Sequence, residues 1–384
     1  MPYSGTSLFP EGLVLFSLKG ATYEMLEDLG PGHHGERVLS ALQRVKDKVV
    51  RRVILKALPL SESTAVWKEA RKRLEEEIQL ATFLRHPNIA CVHGAHKAKG
   101  VLFVITEAVA GFSLNTLLEV AAVRGNYCPE SFMLYVGAKI AGALAHAHAC
   151  RSAQGDPLKI VHRAIDPTRI RVTFDGQVKL TDFGVASARL PGQRTTRRPG
   201  TRGEVFWASP EALLGQPEDA RSDLFTLGMV LLEFATGKHL LSAYNLLTKD
   251  LWVLVPEGET EPLRSAIARM RSAWGGVDPE ETILRAATFT PADVEAATQT
   301  LSEPTRAVFR KLLRRNPAER HMSALTLQDD LAKVLRARGS YTARMASQEI
   351  QAALRGAGQA MAEDEEGPKS LRHQDFITTE PSPA

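Results

Sequence analysis

Two short motifs constrain the fold of this chain more than any other feature: Ile160-Val161-His162-Arg163-Ala164-Ile165-Asp166-Pro167-Thr168-Arg169 and, close behind, Lys179-Leu180-Thr181-Asp182-Phe183-Gly184. Between them, Val172-Thr173-Phe174-Asp175-Gly176-Gln177-Val178 places β-prone residues on either side of Asp-Gly, a strong signal for a hairpin. That hairpin fixes where Asp182 is delivered. An isolated Asp-Phe-Gly is as easily a chance turn. With the loop upstream and Ser209-Pro210-Glu211 downstream, chance is no longer a competitive account.

Together these residues resemble the catalytic loop and metal-binding turn of eukaryotic-type serine/threonine protein kinases, in the form of a bacterial member with a degenerate catalytic loop. The resemblance runs from about Tyr23 to Leu335 and implies an α+β, two-lobed kinase-like fold, with a small β-rich N-lobe and a larger helical C-lobe. It also implies ATP and Mg2+ as cofactors. In the family the loop reads His-Arg-Asp, then Pro, then Asn; here Ala164 stands at the Asp position and Arg169 at the Asn position. The methyl of Ala164 can neither orient a substrate hydroxyl nor accept its proton. Arg169 sets hydrogen-bond donors and a fixed positive charge where a neutral oxygen would hold a metal. Asp166 occupies the place where many members carry a phosphate-steadying Lys, whereas Asp182, the expected metal ligand, is retained.

The remaining kinase landmarks follow the chain. Gly30-Pro31-Gly32-His33-His34-Gly35 resembles the glycine loop whose backbone N–H groups cover ATP phosphates, with nucleotide contacts implied at Gly30, Gly32 and Gly35. His33 and His34 have no third ligand in sight and read as loop filler. Val53-Ile54-Leu55-Lys56 reads as a strand ending in the phosphate-pairing Lys56, and Glu77, on a helix expected over Glu69 to Leu84, has the spacing of its ion-pair partner. Val101 to Ile105 reads as a buried strand, leading to Thr106 in the gatekeeper position and to Glu107 and Val109 in a hinge between lobes. The adenine pocket departs from the family at three places: Arg37, or Val38 if one residue is inserted, then Ile54, and Arg171. Bulk at the roof and charge at the floor both oppose the dispersion contacts that a base prefers.

A helix is expected over Tyr135 to Cys150, with His146 and His148 packed near the catalytic loop, and a long apolar one over Ser222 to Thr236 carrying Asp223, Gly228 and Glu233. Thr195 and Thr196 lie in a basic run, Gln193 to Arg198. In the family such threonines are phosphorylated and pair with the loop Arg, here Arg163; a plain flexible loop is the alternative. Glu204 falls where the family has a Thr or Lys that bridges to the catalytic Asp. Arg320 is the expected partner of Glu211. Residues 251–302 are less recognisable, although Thr290-Pro291-Ala292-Asp293 reads as a helix start. These landmarks divide the chain into an extension over 1–20, read as an extra strand with a partner-binding segment as the alternative, an N-lobe over 21–107, a C-lobe over 108–338, and a tail over 339–384 that is helical to Leu354 and then acidic and disordered.

Composition adds exclusions. A net charge of +4 over 384 residues gives no case for a nucleic-acid partner, and no segment reads as a signal peptide or membrane span. Three widely spaced cysteines read as reduced thiols in a cytoplasmic protein. The function expected from these readings is a pseudokinase that regulates or scaffolds a protein signalling partner, with weak or absent phosphotransfer. The alternative is an active Ser/Thr kinase in which Asp166 substitutes for the missing base.

Overall fold

The computed structural model describes residues 11–32, 35–60, 64–183, 186–188, 205–242, 247–273 and 278–364. The expectations placed on His33, His34, Gly184, Thr195, Thr196 and the rest of the basic run, Glu204, and the chain end from Glu365 onward lie outside these residues. Two compact units result, one formed by Met1–Arg85 with Ile89–Ala110 and the other by His86–Asn88 with Gly111–Ala384. The break falls three residues later than the expected boundary at residue 107, because Gly111 already begins a strand of the second unit's sheet. His86–Asn88 joins the second unit because the Asn88 side-chain amide donates to Val178 O at 2.8 Å and Leu180 N donates to Asn88 O at 2.8 Å.

The first unit is an antiparallel sheet of β1 (Val14–Leu18), β2 (Ala21–Pro31), β3 (Arg37–Val45), β4 (Lys48–Pro59), β5 (Val92–Ala98) and β6 (Val101–Glu107), in the order β1-β2-β3-β4-β6-β5. Successive strand residues point to opposite faces. Leu39, Ala41, Leu55, Ala57, Phe103 and Ile105 therefore bury one face, which Leu15 and Phe16 of β1 help to cover. Leu58, Leu102 and Val104 bury the other against Ala70 and Leu74 of α1 (Ala65–Ala81). This helix starts and ends earlier than expected, and Thr82 and Phe83 close it by donating to Gln79 O and Leu80 O. Pairing of Val38 with Lys56, and of Lys56 with Val104, puts all three on the α1 face. Val38, opposite Lys56, shares its face, whereas Arg37 lies opposite Ala57 on the other.

In the second unit β7 (Gly111–Ser113), β8 (Ile170–Thr173) and β9 (Val178–Leu180) form a small antiparallel sheet, and the helices make the core. Helix α2 (Leu114–Arg124) follows β7. Buried α3 (Glu130–Ala149) packs against α5 (Ala220–Thr236) and α11 (Ala324–Ala337). α3 begins five residues before Tyr135, just after Pro129, which cannot continue a preceding helix turn and suits a helix start. α5 is started by a capping box, in which the Asp219 carboxylate and the Ser222 hydroxyl each accept from the other end's backbone. α4 (Pro210–Leu213) precedes α5, while α6 (Thr248–Val253), α7 (Thr260–Ala273), α8 (Glu280–Thr288) and α9 (Pro291–Thr298) occupy the region that the sequence left vague and α10 (Glu303–Leu312) follows it. The Thr290 to Asp293 helix start is present as a capping box, Asp293 accepting from Thr290 N at 2.7 Å.

Beyond α11 the chain folds back as α12 (Ala343–Asp364), longer than the expected stretch to Leu354, so Glu363 and Asp364 belong to a helix. α12 packs on α2 and buries its Ala346, Ile350 and Ala357, and Tyr341 lies against Tyr135 with ring centroids 5.3 Å apart. It also seals the β8–β9 turn. A side chain on Gly176 would meet Ala343 O at 1.8 Å, and the residue holds φ +82°, so glycine is required there twice over.

Candidate functional site

The chemistry-bearing residues form one set on each unit. On the first, Lys56 of β4 donates to both carboxylate oxygens of Glu77 at 2.7 and 2.8 Å, and α1 buries the pair. Thr106, opposite Ile54 in the sheet, donates its hydroxyl to Ile54 O at 3.2 Å. The Glu107 carboxylate accepts from Cys91 N at 2.9 Å, and Val109 is buried. The glycine loop closes on itself. Gly30 N donates to Asp28 Oδ1 at 3.0 Å, Gly32 N to Glu36 O at 2.6 Å and Gly35 N to Gly32 O at 3.1 Å, while Arg37 pairs with Asp28 at 2.5 Å.

On the second unit, Asp223 of α5 organises the loop. One of its oxygens accepts from His162 N at 2.8 Å and lies 2.8 Å from His148 Nε2, and the other accepts from Arg163 N at 2.9 Å. Burial alone would raise the Asp223 carboxyl, but the hydrogen bond and charge of His148, with His162 and the Arg163 amide, outweigh it and hold the pKa below the ordinary carboxylate value. Burial lowers the pKa of His162, favouring the neutral ring; its Nε2 lies 3.1 Å from Thr181 O, and its ring packs on Phe183. These contacts keep the loop and the Asp182 turn side by side.

What the loop presents differs from a metal site. Asp166, 1% exposed, uses Oδ1 to accept from Thr168 N at 2.7 Å, Thr168 Oγ1 at 2.5 Å and Arg169 N at 3.1 Å, so it caps its own turn. The guanidinium of Arg169, a residue 3% exposed, forms ion pairs with Asp166 Oδ2 and, at 3.4 Å from Nε, with Asp182 Oδ2. Ala164 is buried beside them. Asp182 therefore faces a fixed cation. A divalent ion there would meet like charge and lack the neutral oxygen that Asn would provide, so these residues do not fit Mg2+. Among the described residues no cluster of three or more His, Cys, Asp or Glu could hold a metal elsewhere. Arg171 is turned aside, donating to Gly111 O at 2.8 Å.

Two participants were missed by sequence reasoning. Arg163 pairs with Glu218 at 3.4 Å; burial pushes the Glu218 carboxyl upward, and the Arg163 charge opposes that shift. No local pattern announces this pair, because Glu218 lies in the loop before α5, remote in sequence from Arg163. The other is Glu36, 2% exposed, whose side chain lies against Gly32. Its only signal was an acid directly after the last glycine.

The chain matches the family described as Protein kinase domain over residues 23–331. It is 32% identical over 287 residues to the tyrosine-protein kinase MasK of Myxococcus xanthus, covering 73% of this chain and 42% of that protein. It is similar at 34% identity to the serine/threonine-protein kinase PrkC of Bacillus subtilis, covering 44% of this chain and 24% of that protein, and at 31% to the serine/threonine-protein kinase pkn3 of Myxococcus xanthus, covering 76% and 51%. The chain thus spans about half or less of the length of these relatives.

Proposed function

The chain belongs to the protein kinase family, and from that membership we propose that it is a pseudokinase, a kinase-fold module that binds and regulates a protein signalling partner in the cytoplasm without transferring phosphate. The observation that carries this reading is the Arg169 guanidinium held against Asp166 and Asp182, a built-in cation where the family recruits a metal. Ala164 removes the base at the same place, and a protein can keep a fold while its site loses the chemistry. Free thiols at Cys91, Cys128 and Cys150 suit a reducing compartment. Among the described residues no helix is long and apolar enough to cross a membrane. The surrogate-base alternative, transfer to protein hydroxyls through Asp166, is disfavoured because that carboxylate is buried and already engaged by Thr168 and Arg169.

Thermal denaturation with nucleotide tests the reading. ATP with Mg2+ should stabilise the protein no more than ATP alone, and both only weakly, since a ligand stabilises by RT ln(1 + [L]/Kd) and adds almost nothing below its Kd. A rise of many degrees that requires Mg2+ would overturn the proposal.

A further inference from the structure

We propose that α12 is a regulatory strap: seated on α2 it holds the turn of the β8–β9 hairpin, and lifting it off loosens the Asp182 turn at the hairpin's other end. The inference rests on the proposed function only in taking the Asp182 turn as the site that is regulated. The family match ends at residue 331, so α12 is an addition to the matched domain. The β8–β9 hairpin is a short ribbon with a different partner at each end. At its open end Arg169 directly precedes β8 and Asp182 lies two residues after β9; Thr181 N donates to Arg169 O at 2.9 Å, and the Arg169 and Asp182 side chains pair at 3.4 Å. At the closed end, Ser347 of α12 donates its hydroxyl to Phe174 O at 2.7 Å, and the Ala343 carbonyl leaves no room for a side chain on Gly176. Tyr135 of α3, whose ring lies against Tyr341, donates to Gly176 O at 3.1 Å. A sheet of three- and four-residue strands has little stability of its own, so its order depends on what packs on it. Two routes therefore lead from α12 to Asp182: directly through the turn, and through α2, which continues straight from β7, the strand paired with β8.

The seat of α12 is imperfect in a way that suits release. Ala346, Ile350 and Ala357 are buried, but two of the three are alanines, which bury little apolar area. The Tyr341 hydroxyl, beside the start of α12, is buried without a hydrogen-bond partner among the described residues, which costs stability in the seated state. Cys128 lines a cleft with Phe132 and with Ile350 and Ala353 of α12, and burial pushes its thiol up to about 12. That thiol is a native reporter of the seat. Lifting α12 uncovers it and restores the thiolate, which is the reactive form.

The test compares the full chain with Ile350→Asp, Ile350→Ala and Ser347→Ala, reading alkylation of each cysteine by iodoacetamide and amide hydrogen exchange by mass spectrometry. Ile350→Asp sets a charge in the seat and should speed both Cys128 alkylation and exchange over residues 172–182 by roughly tenfold or more. Exchange in α5 and alkylation of exposed Cys91 should stay unchanged. Ile350→Ala should act in the same direction to a smaller extent, and it keeps the comparison available should the aspartate variant fold poorly. Ser347→Ala should speed exchange in the hairpin about threefold, the scale of one lost neutral hydrogen bond, while Cys128 stays as slow as in the unmodified protein. The proposal is overturned if Cys128 opens while the hairpin keeps its exchange rate, if α5 speeds up as much as the hairpin in both Ile350 variants, or if neither Ile350 variant changes Cys128. Phosphotransfer measured on the same samples reports separately on the pseudokinase reading, since the coupling of α12 to the hairpin is read from exchange and alkylation alone.

Discussion

Arg320→Ala should destabilise the protein by about 3–5 kcal/mol, the loss found when one partner of a buried ion pair is removed and the other is left uncompensated. Arg320 and Glu211 are each 2% exposed and joined by two parallel hydrogen bonds of 2.7 and 2.8 Å. The guanidinium also donates to Arg314 O at 2.7 Å, Arg315 O at 3.0 Å and Arg221 O at 3.1 Å, and it stacks over the Phe225 ring at 4.7 Å. Glu211 accepts a further hydrogen bond from Ser222 at 2.7 Å, which ties the start of α5 to the same group. Alanine would strand a buried carboxylate and several carbonyls at once, whereas Arg320→Met combined with Glu211→Leu should recover much of the loss, because the pair's net contribution is small beside the penalty of breaking it. Denaturant unfolding measures both. A loss below about 1 kcal/mol for Arg320→Ala, the scale of an exposed ion pair, would contradict the account.

Arg169→Asn should turn a protein indifferent to Mg2+ into one that depends on it. Without the guanidinium, buried Asp166 loses an ion pair and Asp182 loses its cation, so stability in the absence of divalent ions should fall by about 3 kcal/mol. The same change supplies a neutral oxygen beside two carboxylates, a donor set of the kind Mg2+ takes. Mg2+ at about a hundred times its Kd should then restore roughly 2.7 kcal/mol in the variant and nothing in the unmodified protein. Equal stabilisation of both by Mg2+ would show that Arg169 does not stand in for a metal.

The parts legible in the sequence were those whose chemistry is local. Lys56 at the end of a β-branched run, Glu77 at a fixed offset from His86-Pro87, and Glu211 and Arg320 in short motifs each announce a partner, and the structure joins them in two ion pairs. The choice between Arg37 and Val38 was not legible. The pairing of β2 with β3 shifts between Met25 and Glu27 and again between Asp28 and Pro31, and one sequence cannot show where a strand slips. Glu36 and Glu218 escaped because their partners are set by how loops fold back, which leaves no period to read. Packing of α12 on α2 was hidden for a related reason: an amphipathic helix shows that it needs a partner without showing which one. The sequence marks Arg169 as a departure from the family loop, but its bridging of Asp166 and Asp182 depends on side-chain packing that spacing does not encode.

The most direct test of the central claim is transfer of labelled γ-phosphate by the unmodified protein, to itself and to generic serine, threonine and tyrosine substrates, beside an Asp166→Asn control. The expected result is no transfer above the level of a protein-free reaction, in either form and with or without Mg2+. Transfer that survives removal of contaminating kinases and disappears in Asp166→Asn would contradict the account, because it would establish Asp166 as a working base despite its bonds to Thr168 and Arg169.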